Sequence, residues 1–410
     1  MKKGQLDTHI LVLVTLGLTA FGLVMVYSAT SAAAALGGSD PSYYLKREAI
    51  YALVGVALLM VLYRADYRAL RYLAPVLMLS SIGLCFAVLV VGQEVNGARR
   101  WLGVGSLSFQ PSELAKLSLA IWAAAYLARR PAPRTLGELL RPLGLTTGLV
   151  CALILVEPDL GTVIAIGIVL GAILIVSGAP LRVLGAGGAL AATLGVAAIW
   201  IEPYRRARFF SFLDPWHDAQ GAGYQTVQAI IGLGSGGPFG VGLGQGPSKV
   251  NYLPEAHTDM IFAVIGEELG LLGTTFVIAL FGLFAYAGFR VALRCRDPFG
   301  KRLAAGLTTL VCGQALINLA AVLGLAPLTG ITLPFVSYGG SSLIVSLAAV
   351  GVLLNIAGHG GRASAQMPDR SRRNSRPRAA VARSRRSARG ARRQGDLRRV
   401  AGSRRGAARS

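Results

Sequence analysis

Residues 160–177 read LGTVIAIGIVLGAILIVS, a run without a charged side chain. A helix needs about 20 mostly apolar residues to cross the hydrocarbon core of a bilayer, so this run alone is close to a membrane span. Similar runs recur along the 410 residues, which are 53% hydrophobic and only 15% charged. An ordinary soluble domain is about 25% charged. The sequence therefore predicts an all-α, polytopic membrane protein.

We predict ten spans on the apolar runs at residues 10–32, 49–63, 73–91, 112–127, 143–156, 160–177, 183–200, 259–293, 303–326 and 337–357. The eighth is interrupted at Gly270 and Gly273, so its first turns are expected to form a separate half-helix, which membranes accommodate where the backbone faces protein or water. For the first run a cleaved signal peptide is the alternative, because Lys2 and Lys3 precede it. The length of its apolar stretch favours a retained helix.

The formal charge of +22 is concentrated at the end of the sequence. Residues 362–410 hold 17 Arg and 2 Asp, or +15, and contain too few large apolar residues to fold alone. We therefore divide the chain into a membrane domain, 1–361, and a disordered Arg-rich tail, 362–410. The predicted inner connections hold 15 Lys and Arg against 8 on the outer side. The positive-inside rule then places both termini in the cytoplasm.

The longest predicted outer connection, residues 202–258, joins the seventh and eighth spans, and a connection of that length is usually functional. It contains the run 232–246, GLGSGGPFGVGLGQG. No Walker lysine follows this run and no βαβ pattern surrounds it, so it does not predict a nucleotide site. We expect a close-packed elbow there, with Lys249 just beyond it.

Charged residues near span ends are functional candidates, because ionisable groups are costly inside a bilayer. Arg99 and Arg100 precede the fourth span, which starts at Pro111 and carries Glu113 and Lys116. Arginine, lysine and the N-terminal amides of a helix together form an anion site. For Lys116, snorkelling to the interface or pairing with Glu113 is an equally good interpretation.

A second, acidic group combines Glu157-Pro-Asp-Leu-Gly with Tyr252-Leu-Pro-Glu-Ala-His-Thr-Asp at the start of the eighth span. Within it Asp259 lies where the chain enters the membrane, after Glu255 and His257. A carboxylate at a partly desolvated interface has a raised pKa and can accept a proton from a substrate hydroxyl. Helix capping by Thr258 or Asp259 is the alternative.

Residues 332–342, TLPFVSYGGSS, include Ser337 and Ser341 and predict an irregular backbone that lines a polar cavity, with a structural bend as the alternative.

The four Cys and four His are dispersed, so no metal site is predicted. No cofactor is expected, and a requirement for a divalent cation is left open. Cations beside a carboxylate on the outer face suit a lipid-linked anionic substrate.

Several of these stretches, taken in order, resemble the SEDS family (shape, elongation, division and sporulation), the polytopic cell-wall glycosyltransferases. The resemblance covers nearly all of residues 5–360. It is carried by residues 22–29, GLVMVYSA; 96–102, NGARRWL, with 109–116, FQPSELAK; 157–162, EPDLGT; 224–225, YQ; 252–263, YLPEAHTDMIFA, with 266–270, GEELG; and 333–342, LPFVSYGGSS.

The resemblance implies a peptidoglycan polymerase that joins lipid II units outside the cytoplasmic membrane. It implies that Asp259 takes the proton from the acceptor GlcNAc 4-hydroxyl while that oxygen displaces undecaprenyl pyrophosphate with inversion. It also implies that Arg100 and Lys116 hold the pyrophosphate. The further candidates for substrate binding near these motifs are Arg99, Glu113, Lys249, Glu255, His257, Ser337 and Ser341.

The basic tail and Asp7, which precedes the first span, favour the division branch of the family, with the elongation branch as the alternative. The expected partners are a class B penicillin-binding protein transpeptidase, divisome proteins and membrane lipids, and no nucleic acid. The expected location is the bacterial cytoplasmic membrane at the division septum. Two other functions are left open: a lipid II flippase or transporter, and a non-catalytic division scaffold that uses the tail.

Overall fold

All ten predicted spans fall on helices of the computed structural model, which describes residues 3–36, 40–95, 97–104, 107–249 and 253–365. A backbone inside a membrane can satisfy its own hydrogen bonds only in a helix or a closed barrel, which is why the apolar runs are helical. The described helices are α1 (Lys3–Leu36), α2 (Tyr43–Arg64), α3 (Leu70–Val91), α4 (Pro111–Arg129), α5 (Leu136–Leu139), α6 (Leu145–Val156), α7 (Leu160–Ser177), α8 (Leu181–Ile201), α9 (Pro203–Leu213), α10 (Tyr224–Ser235), α11 (Ile261–Arg294), α12 (Pro298–Val322) and α13 (Gly340–Ala365).

Eight helical segments of the described chain are long and apolar enough to cross a membrane. Two further helices of similar length are not among these eight: α2, which contains Lys46, Arg47 and Glu48, and α4, which contains Glu113 and Lys116. The polytopic α-helical fold is therefore confirmed. The count of ten spans and the side of the membrane on which each connection lies stay predictions.

The interior of the bundle is formed by α12 and α13, whose apolar windows are 78% and 89% buried by other parts of the protein, whereas that of α8 is not buried at all. α12 packs against α4, α7 and α11, and α1 packs along α11. The buried carboxylate of Asp7 forms ion pairs with Arg290 and Arg294, which join one end of α1 to the end of α11. The candidate site is thus built on the most enclosed helices.

The eighth predicted span is broken once, at Gly270, and the helix continues through Gly273. Gly270 has φ 65° and ψ −159°, a conformation that is almost restricted to glycine. A Cβ atom there would also lie 2.4 Å from the backbone nitrogen of Gly240. The prediction of a separate half-helix at the start of α11 is therefore confirmed.

The Gly-rich run 232–246 packs into this break. A broken helix leaves carbonyl and N–H groups without partners, and inside a membrane these must be satisfied by protein. The run supplies the partners, and so it is the close-packed elbow that the sequence predicts. Three hydrogen bonds join the run to the broken helix. They run from Val241 N–H to the Glu267 carbonyl at 3.0 Å, from Gly242 N–H to the Glu268 carbonyl at 3.0 Å, and from Leu271 N–H to the Gly237 carbonyl at 2.9 Å.

The connections hold more secondary structure than the apolar pattern predicts. Between α3 and α4 lies a small antiparallel sheet of β1 (Gln93–Val95), β2 (Ala98–Val104) and β3 (Leu107–Phe109), in the order β1-β2-β3. Strands this short carry little periodicity of their own. The long connection 202–258 contains α9 and α10. Residues 366–410 lie outside the described residues, so the division of the chain at 361/362 stays a prediction.

Candidate functional site

Asp259 lies two residues before α11, is half-buried and lines a narrow crevice. The crevice is formed by the last turns of α12 and by the connection to α13, and Asn318, Leu328 and Ile331 line it. The buried Asn318 amide donates to the backbone carbonyl of Asp259 at 2.7 Å and to that of Ile331 at 2.8 Å. This amide fixes the backbone of Asp259 against α12.

The carboxyl group of Asp259 accepts a hydrogen bond from the Thr258 hydroxyl at 3.2 Å. The pKa of Asp259 is raised to about 6, because burial and the charge of Glu255 raise it more than the charge of Arg208 lowers it. α11 begins at Ile261 and no side chain caps it, so the alternative of helix capping by Thr258 or Asp259 is wrong. The Asp259 carboxylate thus remains available to a substrate.

Glu255 and His257 shape the turn that precedes α11. Glu255 has φ 54°, and its carboxylate accepts a hydrogen bond from the Thr258 hydroxyl at 3.0 Å. The ring of His257 packs against Tyr44 and Tyr338, with centroids 4.7 and 5.4 Å away, and its carbonyl accepts from the Tyr338 N–H at 2.8 Å. Burial lowers the pKa of His257, so the imidazole is neutral at pH 7.

Arg100 joins the sheet to the acidic motif between α6 and α7. Its guanidinium donates from Nε to the Glu157 carbonyl and from Nη2 to the Pro158 carbonyl, both at 2.7 Å. Arg99 lies on the exposed side of the sheet, where Nε is 3.6 Å from a carboxylate oxygen of Glu94. Two of the five N–H donors of Arg100 are therefore used by the protein itself.

Lys116 and Glu113 form an ion pair inside the bundle. The Lys116 Nζ lies 2.8 Å from Glu113 Oε1, and only 1% of the Lys116 side chain is exposed. The structure thus shows the pairing alternative for Lys116 rather than snorkelling. Glu113 Oε2 is buried without a hydrogen-bond partner among the described residues, so this carboxylate retains a free acceptor.

Lys249 lies in a second buried ion pair, beyond the Gly-rich run. Its Nζ is 2.8 Å from Glu268 Oε1, and the Ser28 hydroxyl donates to both oxygens of the same carboxylate at 2.9 and 2.6 Å. The side chains of Lys249 and Glu268 are 2% and 0% exposed. The three residues tie the long connection to α11 and to α1.

Ser337 and Ser341 stabilise the segment that leads into α13. The Ser337 hydroxyl accepts from the Leu333 N–H at 2.8 Å, which closes a turn before the helix. The Ser341 hydroxyl accepts from the Gln110 N–H at 3.0 Å and so joins the start of α13 to the start of α4. The backbone before α13 is irregular, as predicted, with φ 66° at Phe335.

The predicted site residues fall into separate groups. Glu255 and His257 lie in the turn that leads to Asp259, whereas each of the predicted cations is bound to another part of the chain. Within the described residues no hydrogen bond or ion pair joins Asp259 to Arg99, Arg100, Lys116 or Lys249. The substrate-binding role of each of these cations stays a prediction.

Sequence reasoning missed three residues of this region. Asn318 is a lone amide near the end of an apolar span, a cue that was present in the sequence. Arg208 was counted only as one of several cations in the long connection. Glu157 was noted as acidic, but its complete burial was not foreseen; both its carboxyl oxygens lack hydrogen-bond partners among the described residues.

The motifs that carry the resemblance contact one another in space. The Gln110 side chain donates to Asp159 at 3.4 Å, and its backbone N–H donates to Ser341. Arg100 binds the carbonyls of the 157–162 stretch, and Tyr338 binds the carbonyl of His257. Stretches that are far apart along the chain therefore form one connected region at the end of the bundle that holds Asp259.

A family model described as a cell cycle protein of the FtsW, RodA and SpoVE group matches residues 8–361. The chain is 41% identical over 351 residues to the probable peptidoglycan glycosyltransferase FtsW of Geobacter sulfurreducens, a match that covers 85% of this chain and 94% of that protein. It is 39% identical over 354 residues to the stage V sporulation protein E of Bacillus subtilis, covering 85% and 96% of the two chains.

Two solved structures are also similar. One is a chain from a study of how a peptidoglycan synthase complex coordinates polymerization and crosslinking, with a TM-score of 0.72, 33% identity and coverage of 85% of this chain and 97% of that one. The other is the rod shape determining protein RodA of Thermus thermophilus, with a TM-score of 0.63, 32% identity and coverage of 85% and 95%. The chain therefore belongs to the FtsW/RodA/SpoVE family of membrane proteins, the SEDS family.

Proposed function

We propose that this protein is a peptidoglycan glycosyltransferase that joins lipid II disaccharide units into glycan chains on the outer face of the cytoplasmic membrane. One observation carries the proposal: a half-buried carboxylate, Asp259, that lines a crevice in a membrane bundle and has a pKa raised to about 6. Such a carboxylate is ionised at pH 7 and still basic enough to accept a proton. The identity to relatives named as peptidoglycan glycosyltransferases supports the same reaction.

In the proposed step, the 4-hydroxyl oxygen of the acceptor GlcNAc forms a bond to the anomeric carbon of the donor. The hydroxyl proton passes to the carboxylate of Asp259. The bond between the anomeric carbon and the diphosphate oxygen breaks, and its electron pair leaves on undecaprenyl diphosphate. Attack from the side opposite the leaving group inverts the configuration at the anomeric carbon.

We propose that the step needs no bound cofactor. Within the described residues no cluster of three or more His, Cys, Asp or Glu side chains is arranged to hold a metal ion. Diphosphate substrates bind divalent cations in solution, so the polymerisation assay below includes a series with EDTA and a series with added Mg²⁺. A rate that depends on Mg²⁺ would show that a divalent cation takes part in the step.

We also propose that the protein works with a class B penicillin-binding protein and with divisome proteins, in the bacterial cytoplasmic membrane at the septum. Its similarity to a chain from a peptidoglycan synthase complex supports a partner of this class. A role in elongation is the alternative, because RodA of Thermus thermophilus is a structural relative as well. Placement of a fluorescent fusion at the septum, rather than along the side wall, tests the division role.

The decisive experiment supplies lipid II to the purified full-length chain and its transpeptidase partner, and resolves the glycan products on a gel. We expect chains with the wild type and none with Asp259→Ala, while the binding of lipid II stays within about twofold. The control is Glu202→Gln, which removes an exposed carboxylate from the same connection. Undiminished polymerisation by Asp259→Ala would contradict the role of Asp259. Transfer of lipid II across vesicles without polymerisation would favour a flippase.

A further inference from the structure

Most of the cations that could hold an anionic substrate near the site are already bound within the protein. Three of these cations form ion pairs: Lys116 with Glu113, Lys249 with Glu268, and Arg99 with Glu94. Two donate hydrogen bonds to backbone carbonyls: Arg100 to Glu157 and Pro158, and Arg205 to Ala198 and Leu155. A substrate that gains negative charge at Asp259 needs a cation that is close and not neutralised.

The short helix α9 carries three arginines in different surroundings. Arg205 donates to the Leu155 carbonyl at 2.6 Å and to the Ala198 carbonyl at 3.1 Å, which fastens α9 to the ends of α6 and α8. Arg206 is exposed. Arg208 is half-buried, and its Nη1 lies 3.5 Å from the carbonyl oxygen of Leu328, at the outer limit for a hydrogen bond.

Leu328 and Asp259 line the same crevice. The contact between Arg208 and the Leu328 carbonyl therefore places the guanidinium beside a residue that lines the crevice, and the charge of Arg208 lowers the pKa of Asp259. The guanidinium stacks over the ring of Tyr204, 4.7 Å from its centroid, which orients it before any substrate arrives. Within the described residues no carboxylate forms an ion pair with Arg208, and one long bond leaves most of its donors free.

We propose that Arg208 binds the diphosphate of the lipid-linked donor beside Asp259, and stabilises the charge that gathers on the leaving oxygen as the glycosidic bond forms. This inference rests on the proposed function, because in that reaction the diphosphate of the donor leaves beside Asp259. An arginine held in advance at the point where charge develops makes two parallel hydrogen bonds to a phosphate and needs no reorganisation during the step.

In this proposal the three arginines of α9 have different roles. Arg205 holds the helix in place, Arg208 contacts the Leu328 carbonyl, and Arg206 is exposed. The same helix therefore provides a matched control, since Arg206→Ala removes an equal charge two residues away. Arg208→Gln is the second test variant, because it keeps a donor for the Leu328 carbonyl and removes only the charge.

The first measurement is the binding of inorganic pyrophosphate to the purified full-length chain by calorimetry. We expect Arg208→Ala and Arg208→Gln to bind about tenfold to hundredfold more weakly than the wild type, the range for losing a hydrogen-bonded charge. Arg206→Ala is expected to bind like the wild type. Equal affinity of Arg208→Gln and the wild type overturns the proposal, and so does an equal loss in Arg206→Ala.

The second measurement is inhibition of polymerisation by pyrophosphate. In the wild type and in Arg206→Ala, pyrophosphate should compete with lipid II, whereas in Arg208→Gln it should inhibit about tenfold or more weakly. A purely structural role of Arg208 would lower the melting temperature and leave this competition unchanged, which contradicts the proposal. If the wild type makes no glycan chains, the proposed function fails, and the pyrophosphate titration still decides the role of Arg208.

Discussion

Asp259 is partly buried and lines the crevice, and this combination has a consequence for pH. A general base acts only when it is deprotonated, and the pKa of Asp259 is about 6. We therefore expect kcat/KM for lipid II to fall about tenfold for each pH unit below 6 and to level off above it. A pH series between 4.5 and 8.5 in one buffer mixture checks this. A rate that stays flat down to pH 5 would argue against Asp259 as the base.

Substitution of Glu255 should shift the acid limb of the pH profile, the range in which kcat/KM falls. The charge of Glu255 raises the pKa of Asp259, so Glu255→Gln should lower the pKa and shift the acid limb to lower pH. The matched control is Glu94→Gln, which removes an exposed carboxylate from the sheet and should leave the limb in place. A shift to higher pH in Glu255→Gln would contradict the electrostatic account of this site.

Glu157 should make the stability of the protein depend on pH. The pKa of Glu157 is raised from 4.5 to about 8, because burial and the charge of Asp159 raise it more than the charge of Arg100 lowers it. A carboxyl group with a raised pKa contributes its full stability below 4.5, and this contribution is lost as the pH rises towards 8. Glu157→Gln cannot ionise. Its melting temperature in detergent should therefore exceed that of the wild type by more at pH 8.5 than at pH 5, whereas Glu202→Gln should show no such trend.

At the scale of the elements, the break in α11 depends on one glycine. Gly270→Ala would force a Cβ into a left-handed conformation and against the backbone of Gly240, so we expect a loss of about 1–3 kcal/mol or more in stability. The control is Gly282→Ala in the same helix, where a Cβ meets no atom within 4 Å. That change should be neutral or raise stability by about 0.5–1 kcal/mol. Thermal melting of both variants in the same detergent separates the two cases.

The ion pair of Lys249 and Glu268 joins two elements at almost complete burial. Lys249→Met leaves the Glu268 carboxylate buried without its cation, which costs about 3–5 kcal/mol. The double variant Lys249→Met with Glu268→Gln should recover much of that loss, because no charge then remains buried. Lys46→Met breaks an exposed pair with Asp40 and should have little measurable effect. A double variant no more stable than Lys249→Met would contradict this account.

For the whole molecule, the apolar runs predicted the helices well because hydrophobicity is a local property of the chain. A break in this span was predicted at Gly270 and Gly273, and only Gly270 breaks the helix, because the Gly-rich run packs against the backbone there. The partner of each cation was not predictable: Lys116 could equally snorkel or pair, and the choice depends on how α4 packs in the bundle. Arg208 contacts Leu328, in the connection between α12 and α13, and no spacing along the sequence indicates that α9 lies there.

The division of the chain into a membrane domain and a tail leads to a test on the whole molecule. Removal of residues 366–410 takes away most of the +15 charge of the predicted tail. We expect polymerisation by the purified protein to stay within about twofold, since the catalytic step involves only the bundle, while septal placement of the truncated protein in cells weakens. A large loss of polymerisation in the truncated protein would place the tail in the reaction.

The cluster of Ser28, Lys249 and Glu268 bears on how the protein is made. Ser28 leaves the ribosome 240 residues ahead of Glu268, whereas Lys249 precedes Glu268 by only 19. A lone carboxylate is costly in the membrane, and here its cation emerges from the ribosome almost together with it. The Ser28 hydroxyl on α1 can bind Glu268 only if α1 stays in the membrane while the helices between α1 and α11 are inserted. Docking of α11 against α1 is therefore a late event in biogenesis, and a chain truncated before Glu268 should leave α1 accessible to water-soluble thiol reagents at an engineered Ser28→Cys.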